Sequence, residues 1–248
     1  MSKEYFTSRR SCRNFQSIEI SDNLLNDIIL KASKAPTCGN MQLYTVVVTK
    51  DKNRLKQLSA LHYNQPAAFT APCILTICAD FNRFTHWCEI NNADAGYDNF
   101  HSFIVALTDA VIFAQQIVTV TELAGLGSCY LGTVTYNAHE ISQMLECPEL
   151  VVPIASVALG VPQEAGEKTS RLPIGGIMHK ERYKKDYDKE IIEIFKVHDE
   201  DTSNKKFIEE NNKQNLAQVF AEVRYPRQLN EEVSKTFLNL LKKKGFLK

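Results

Sequence analysis

The sequence predicts an α+β chain, one domain followed by a long polar C-terminal extension. Three observations predict it. Segments with apolar residues at helical spacing ("SDNLLNDIILKASKAP", "DAVIFAQQIVTVTELAG") alternate with short β-rich runs ("LYTVVVTK", "PCILTICAD", "VVPIASVALGVP"). The chain has 248 residues, 44% of them hydrophobic, enough for one substantial core. Past residue 163 the composition turns to glycine and charge, and 184–214 are strongly polar. Such a segment buries little by itself and is expected to rest on the body or on a second subunit.

The elements follow in order. Ser21 is an N-cap, Leu24, Leu25, Ile28 and Ile29 form an apolar face, and Pro36 ends the first helix. "LYTVVVTK" is a strand, 51–61 a helix, and "PCILTICAD" a strand apolar throughout and therefore central. Residues 81–102 mix polar and aromatic types and fit either a helical lid or a partner-facing segment. Residues 108–125 form a helix apolar on most of its circumference, closed by Gly125 and Gly127. "SCYLGTV" is a short strand, "NAHEISQMLECP" an amphipathic helix stopped by Pro148, and "VVPIASVALGVP" a buried strand. In the extension, an exposed helix is expected at 187–198 and a strand in "AQVFAEVRYPR". An amphipathic helix then closes the chain, with Phe237, Leu238, Leu240 and Leu241 on its apolar face and Lys242–Lys244 at its C-terminal dipole end.

Charge and cysteine content exclude several classes. Lys+Arg and Asp+Glu are both 29, so the net charge is zero. Nucleic-acid affinity rests on neutralised phosphates, which disfavours a nucleic-acid partner. The seven cysteines include no CxxC pair and several lie in apolar runs, which predicts free thiols in a reducing compartment. "MSKEYFTSRRS" has no apolar leader core, and Gln115, Gln116 and Glu122 interrupt the longest apolar stretch. The expectation is a soluble cytoplasmic protein with no membrane span.

Three segments are candidates for ligand binding. "SRRSCRNF" gathers Arg9, Arg10 and Arg13 around Ser11. Guanidinium forks and a hydroxyl suit a small phosphate; a solvated basic end is the competing interpretation. "APTCGNMQ" offers Thr37, Asn40 and Gln42, uncharged donors and acceptors that suit a heterocycle edge, or else a plain helix-to-strand loop. "GLGSCYLGT" carries glycines after a helix and before a strand, the reverse of a dinucleotide fingerprint. It is either a helix cap with a tight turn or a place where backbone approaches a flat ligand. Arg171, in "KTSRLP", is a further phosphate candidate. The six histidines are scattered and the carboxylates form no informative pair. No catalytic side chain and no metal site is predicted, which suits a protein that delegates chemistry to a cofactor.

Taken together, "RRSCRNF", "APTCGNMQ", "DAVIFAQQIVTVTELAGLGSCYLG" and "IASVALGVPQEAGEKTSRLP" resemble, in order, the motifs of the FMN-dependent nitroreductase / flavin reductase family. "RLPIGGIMHKERY" is similar to its larger, NADPH-preferring branch. The resemblance covers about residues 5–198. It implies an α+β three-layer sandwich with a mainly antiparallel sheet, an intertwined homodimer with FMN at the interface, a core over 1–183 and a wrapping extension over 184–248. It also implies FMN contacts for Arg9, Arg10, Ser11 and Arg13, joined by Arg171 at the phosphate. Gln65 would reach the flavin, and Tyr130, Leu131, Gly132 and Thr133 would line the ring. Thr37, Asn40 and Gln42 would come from one subunit. Thr169 stands where that branch often has lysine, and Lys168 is the neighbouring substitute. The implied reaction is ping-pong: hydride from NADPH or NADH to FMN N5, then reduction of a nitroaromatic, a quinone or free flavin. Arg224 and Arg227 are candidates for a nicotinamide 2′-phosphate, or ordinary surface arginines. The alternatives are other flavin chemistry on the same fold (dehalogenation, flavin fragmentation) or a non-catalytic flavin-binding protein.

Overall fold

The computed structural model describes residues 3–185 and 188–247. These divide into two compact units, Met1–Glu167 with Val233–Lys248, and Lys168–Glu232.

The first unit is built on four antiparallel strands, β1 (Tyr44–Thr49), β2 (Cys73–Asp80), β3 (Gly127–Leu131) and β4 (Val151–Gly160), in the order β1-β2-β4-β3. β2 and β4 are central, and every residue of both is buried. That is why they read as largely apolar runs. Thr76 pairs with Ser156 across them, hydroxyl to hydroxyl at 3.3 Å. Its helices are α1 (Lys3–Ser8), α2 (Asp22–Ala32), α3 (Lys52–Leu61), α4 (Pro66–Thr70), α5 (Asn82–Ile90), α6 (Phe100–Leu123) and α7 (Ala138–Met144).

Two apolar clusters sandwich the sheet into three layers. One joins Leu75, Ile77, Val157 and Leu159 to Ile28 of α2 and Phe113 and Ile117 of α6. The other joins Ile74 and Ala158 to Leu58 of α3, Ala67 and Ala68 of α4 and Ile141 of α7. Each fully buried Ile or Leu contributes about 2 kcal/mol of transfer free energy. Side-chain caps start the helices where the sequence offers them. Ser21 accepts from Leu24 N and Asp51 from Arg54 N. Asn99 accepts from Ser102 N, so α6 begins at Phe100, eight residues before the expected start. α2 stops at Ala32, before Pro36. α6 is long and apolar enough to cross a membrane by composition, yet half of its most apolar window is buried in the fold.

The second unit holds α8 (Asp188–Asp199), α9 (Thr202–Glu210), α10 (Leu216–Gln218) and the start of α11 (Arg227–Lys243). α8 corresponds to the helix expected at 187–198, apart from residue 187, which lies outside the described residues. The strand expected in "AQVFAEVRYPR" is wrong: α10 runs on into a π-helical segment, Val219–Arg224. Asn215 caps it through Gln218 N, and Leu216 and Val219 are buried one helical turn apart. The β-type residues there thus serve a helix face. The end of α11 belongs to the first unit. Leu240, Leu241 and Phe246 are buried there, whereas Leu238, assigned to the apolar face from the sequence, is exposed.

Candidate functional site

The arginine segment leaves α1 and runs extended beside β3. Cys12 N donates to Ser128 O at 2.9 Å and Gln16 N to Val161 O at 2.9 Å, and Gln163 N returns a bond to Asn14 O at 3.0 Å. Cys12 and Phe15 point inward, while Arg10 and Arg13 point outward. Gly127 permits this approach: a Cβ there would lie 2.6 Å from Cys12 Cβ.

The three arginines differ in what they hold. Arg9 pairs with Glu122 at 3.3 Å, and Glu122 also accepts from Tyr5 Oη (2.9 Å) and Ser128 Oγ (2.6 Å). Arg10 Nη1 donates to Gly166 O at 3.2 Å. Arg13 and the Ser11 hydroxyl make no hydrogen bond or ion pair among the described residues. Burial raises the Cys129 thiol pKa against the opposing pull of Arg13 and Arg9. Uncommitted guanidinium and hydroxyl donors on an extended strap are the donor set a phosphate requires.

The glycine turn joins this edge. Tyr130 is exposed, Leu131 is buried, and Gly132 and Thr133 open a 3₁₀ turn. Thr133 Oγ1 lies 2.8 Å from His62 Nδ1. His62 is fully buried, and burial lowers its pKa to about 4, so the imidazole is neutral. Two left-handed residues, Tyr63 and Asn64, then lead to Gln65 at the N-cap of α4. His62 thus ties the Gln65 turn to Thr133.

Thr37, Asn40 and Gln42 sit elsewhere, in the loop that enters β1 at the opposite edge of the sheet. The loop is held by residues the sequence did not single out. Asp109 of α6, 2% exposed, accepts from Cys38 N (2.9 Å) and Leu43 N (3.2 Å). Arg83 of α5 donates to Gln42 O (2.5 Å) and Tyr44 O (3.1 Å). Gly39, Asn40 and Gln42 all have positive φ, at 55°, 56° and 55°. For the two non-glycines this costs on the order of 1 kcal/mol each. Thr37 Oγ1 is buried with no hydrogen-bond partner among the described residues. A cavity of about 440 Å³ beside this loop is lined by Met41, Gln42, Tyr44, Arg83 and Phe113. The signal that could have found Asp109 is a lone carboxylate on the core stripe of an apolar helix, which needs buried donors to exist there.

Arg171 and Thr169 lie in the second unit. Arg171 Nη1 folds back onto Thr169 Oγ1 (2.5 Å) and Ser170 O (2.9 Å), and Ser170 Oγ is 2.9 Å from His198 Nδ1. Arg224 sits over the Phe207 ring at 4.3 Å, and Arg227 pairs with Glu231 at 3.8 Å.

The first unit is thus a three-layer α+β sandwich with a cationic strap along one edge of its sheet. The chain belongs to the Nitroreductase family, whose model matches residues 6–161. It is 33% identical over 179 residues to the FMN reductase [NAD(P)H] of Bacillus subtilis, covering 71% of this chain and 72% of that protein. A crystal structure from Bacteroides fragilis is 44% identical with a TM-score of 0.96, over 99% of this chain and 100% of that one. B. megaterium NfrA2 is 29% identical with a TM-score of 0.85, over 98% and 97%.

Proposed function

We propose that this protein is an FMN-dependent NAD(P)H oxidoreductase that reduces nitroaromatics, quinones or free flavin. The observation that carries this reading is the pair of uncommitted donors, Arg13 and Ser11, beside Arg10 on the strap, in a chain of the Nitroreductase family. The family name and the B. subtilis FMN reductase support the cofactor. FMN, when bound, would supply the redox chemistry, two-electron transfer from a nicotinamide to an acceptor. The chain binds and orients it. Arg10 and Ser11 hold the phosphate. Arg13 would put positive charge at the polar edge of the ring. Tyr130, Leu131, Gly132 and Thr133 wall the ring, Gln65 reaches it, and the neutral His62 fixes the Thr133 hydroxyl. Arg9 stands behind them, paired with Glu122. Arg171 joins the phosphate on the resemblance alone, and Lys168 is the substitute for the lysine absent at Thr169.

A homodimer completes the proposal, with residues 184–248 as an extension wrapping the core or the partner subunit, its end (Leu240, Leu241, Phe246) packed in the core of its own chain. Within one chain Arg13 and Asn40 lie at opposite sheet edges, so Thr37, Asn40 and Gln42 act on the partner's flavin. The exposed apolar stripe of α6 (Phe100, Ile104, Val111, Ile112) supports such a contact. Seven free thiols suit a cytoplasmic home.

The test is a visible spectrum followed by anaerobic addition of NADPH or NADH. The expected result is a yellow protein that bleaches, and the faster nicotinamide identifies the donor. A colourless protein that neither takes up FMN nor oxidises nicotinamide would remove this reading.

A further inference from the structure

His62 reaches Thr133 through one ring nitrogen and reaches nothing through the other. Nδ1 lies 2.8 Å from Thr133 Oγ1. Nε2 is buried and has no hydrogen-bond partner among the described residues. The surroundings hold the ring in this position. Leu61 O, the last carbonyl of α3, accepts from Asn137 Nδ2 at 2.6 Å, so a second side-chain bond ties the α3 turn to the turn after β3. Asn64 N donates back to Ser59 O at 2.8 Å, and Tyr63 and Asn64 take φ of 58° and 49°. Tyr63 also meets Tyr136 edge-on, with ring centroids 6.5 Å apart.

The unpartnered nitrogen decides which atom of the His62–Thr133 bond donates. A neutral imidazole carries one N–H and one bare nitrogen, and the bond made by one nitrogen fixes the state of the other. A protonated ring would bury a charged N–H with no acceptor, and the ring is accordingly neutral. With the hydrogen on Nε2, the unmet group would be a buried N–H, the rarer kind of orphan. With the hydrogen on Nδ1, the only N–H is spent on Thr133 Oγ1 and the unmet group is a bare lone pair. The Thr133 hydroxyl then finds no acceptor in His62, and its own hydrogen turns away. Thr133 is half-buried and its hydroxyl makes no other hydrogen bond among the described residues.

We propose that His62 is a positioning residue: its Nδ1–H donates to Thr133 Oγ1, and Thr133 thereby presents its hydroxyl hydrogen, as a donor, to an acceptor atom of the flavin ring. The identity of the ligand rests on the proposed function; the direction of the bond rests on the chain's own groups. A threonine hydroxyl alone donates or accepts as its neighbour requires. The buried imidazole removes that choice. The ring edge that Thr133 meets is therefore a carbonyl oxygen or an unprotonated ring nitrogen, and not an N–H.

The full-length protein, isotopically labelled in nitrogen and carbon, is examined by long-range proton–nitrogen NMR with and without FMN, His62 being assigned through its backbone. The expected result in both states is a hydrogen on Nδ1 and a bare Nε2. A hydrogen on Nε2 would overturn the proposal whether or not FMN binds. In the oxidised holoprotein, Thr133→Val should shift the visible bands of bound FMN, and Thr133→Ser, which keeps the hydroxyl, should restore them. His62→Asn, whose amide N–H replaces Nδ1–H, should keep the wild-type bands, and His62→Leu should move them as Thr133→Val does. Identical bands in wild type and Thr133→Val would also overturn the proposal. If the His62 variants do not fold, the wild-type tautomer and the Thr133 pair decide. A protein that takes up no FMN removes the flavin reading, and the tautomer then decides by itself whether Thr133 is a donor.

Discussion

The two edges of the sheet are built on opposite principles. The β3 edge is charged, and part of it is idle: Arg13 and Ser11 bond to nothing among the described residues. The loop at the β1 edge offers uncharged side chains and has its backbone anchored, with two N–H groups on Asp109 and two carbonyls on the exposed Arg83. An idle donor costs little at an exposed position and stays available to an anion. A strained loop of left-handed residues must be held, and the buried carboxylate holds it. Three strand spacings, about 14 Å, separate the edges. On the proposed function each is half a site, and the halves would meet between two copies.

The largest expected effect breaks the β1 edge. Asp109→Ala leaves Cys38 N and Leu43 N without an acceptor and should cost about 3–4 kcal/mol in urea unfolding. A loss below about 0.5 kcal/mol would mean that the loop holds itself. At the β3 edge the test is pH. His62 has its pKa depressed from 6.5 to about 4, so the unfolded chain takes up a proton that the folded one refuses. Its stabilising contribution is complete above pH 6.5 and is lost as pH falls towards 4, by up to roughly 3 kcal/mol. His62→Gln should flatten that part of the stability profile, and an unchanged profile would contradict it.

Neighbouring arginines then sharpen the contrast. Arg9→Ala removes the cation from the largely buried Glu122, which keeps its bonds from Tyr5 and Ser128, and should lower apoprotein stability by about 1 kcal/mol. Arg13→Ala should leave apoprotein stability unchanged within about 0.5 kcal/mol, because it breaks no hydrogen bond or ion pair among the described residues. It should nevertheless raise the FMN dissociation constant about tenfold or more. Equal melting losses for the two variants would refute the division of roles.

What the sequence disclosed follows from the physics of each element. β2 and β4 were legible because strands buried on both faces must be apolar throughout. "RRSCRNF" and "APTCGNMQ" were legible as motifs, but which edge each occupies was not, since that depends on strand order. The segment 216–224 misled because Val and Phe favour strands locally, while the Asn215 cap and the Leu216–Val219 spacing give a helix. Asp109 and Arg83 went unnoticed because each acts on backbone groups distant in sequence. The start of α6 turned on a single cap, Asn99, in a segment of mixed pattern.

The most direct test of the two-halves claim is subunit complementation. One subunit carries Arg10→Ala with Arg13→Ala. The other carries Thr37→Val with Asn40→Gly, glycine suiting the φ of 56° at Asn40. Each homodimer should be nearly inactive as an NAD(P)H-driven reductase. Refolded together in equal amounts, half the dimers are mixed and each mixed dimer has one intact site, so activity should recover to about a quarter of wild type. Activity that stays at the level of the two parents would mean that each flavin site is built within one chain, and the account given by the two edges would fail.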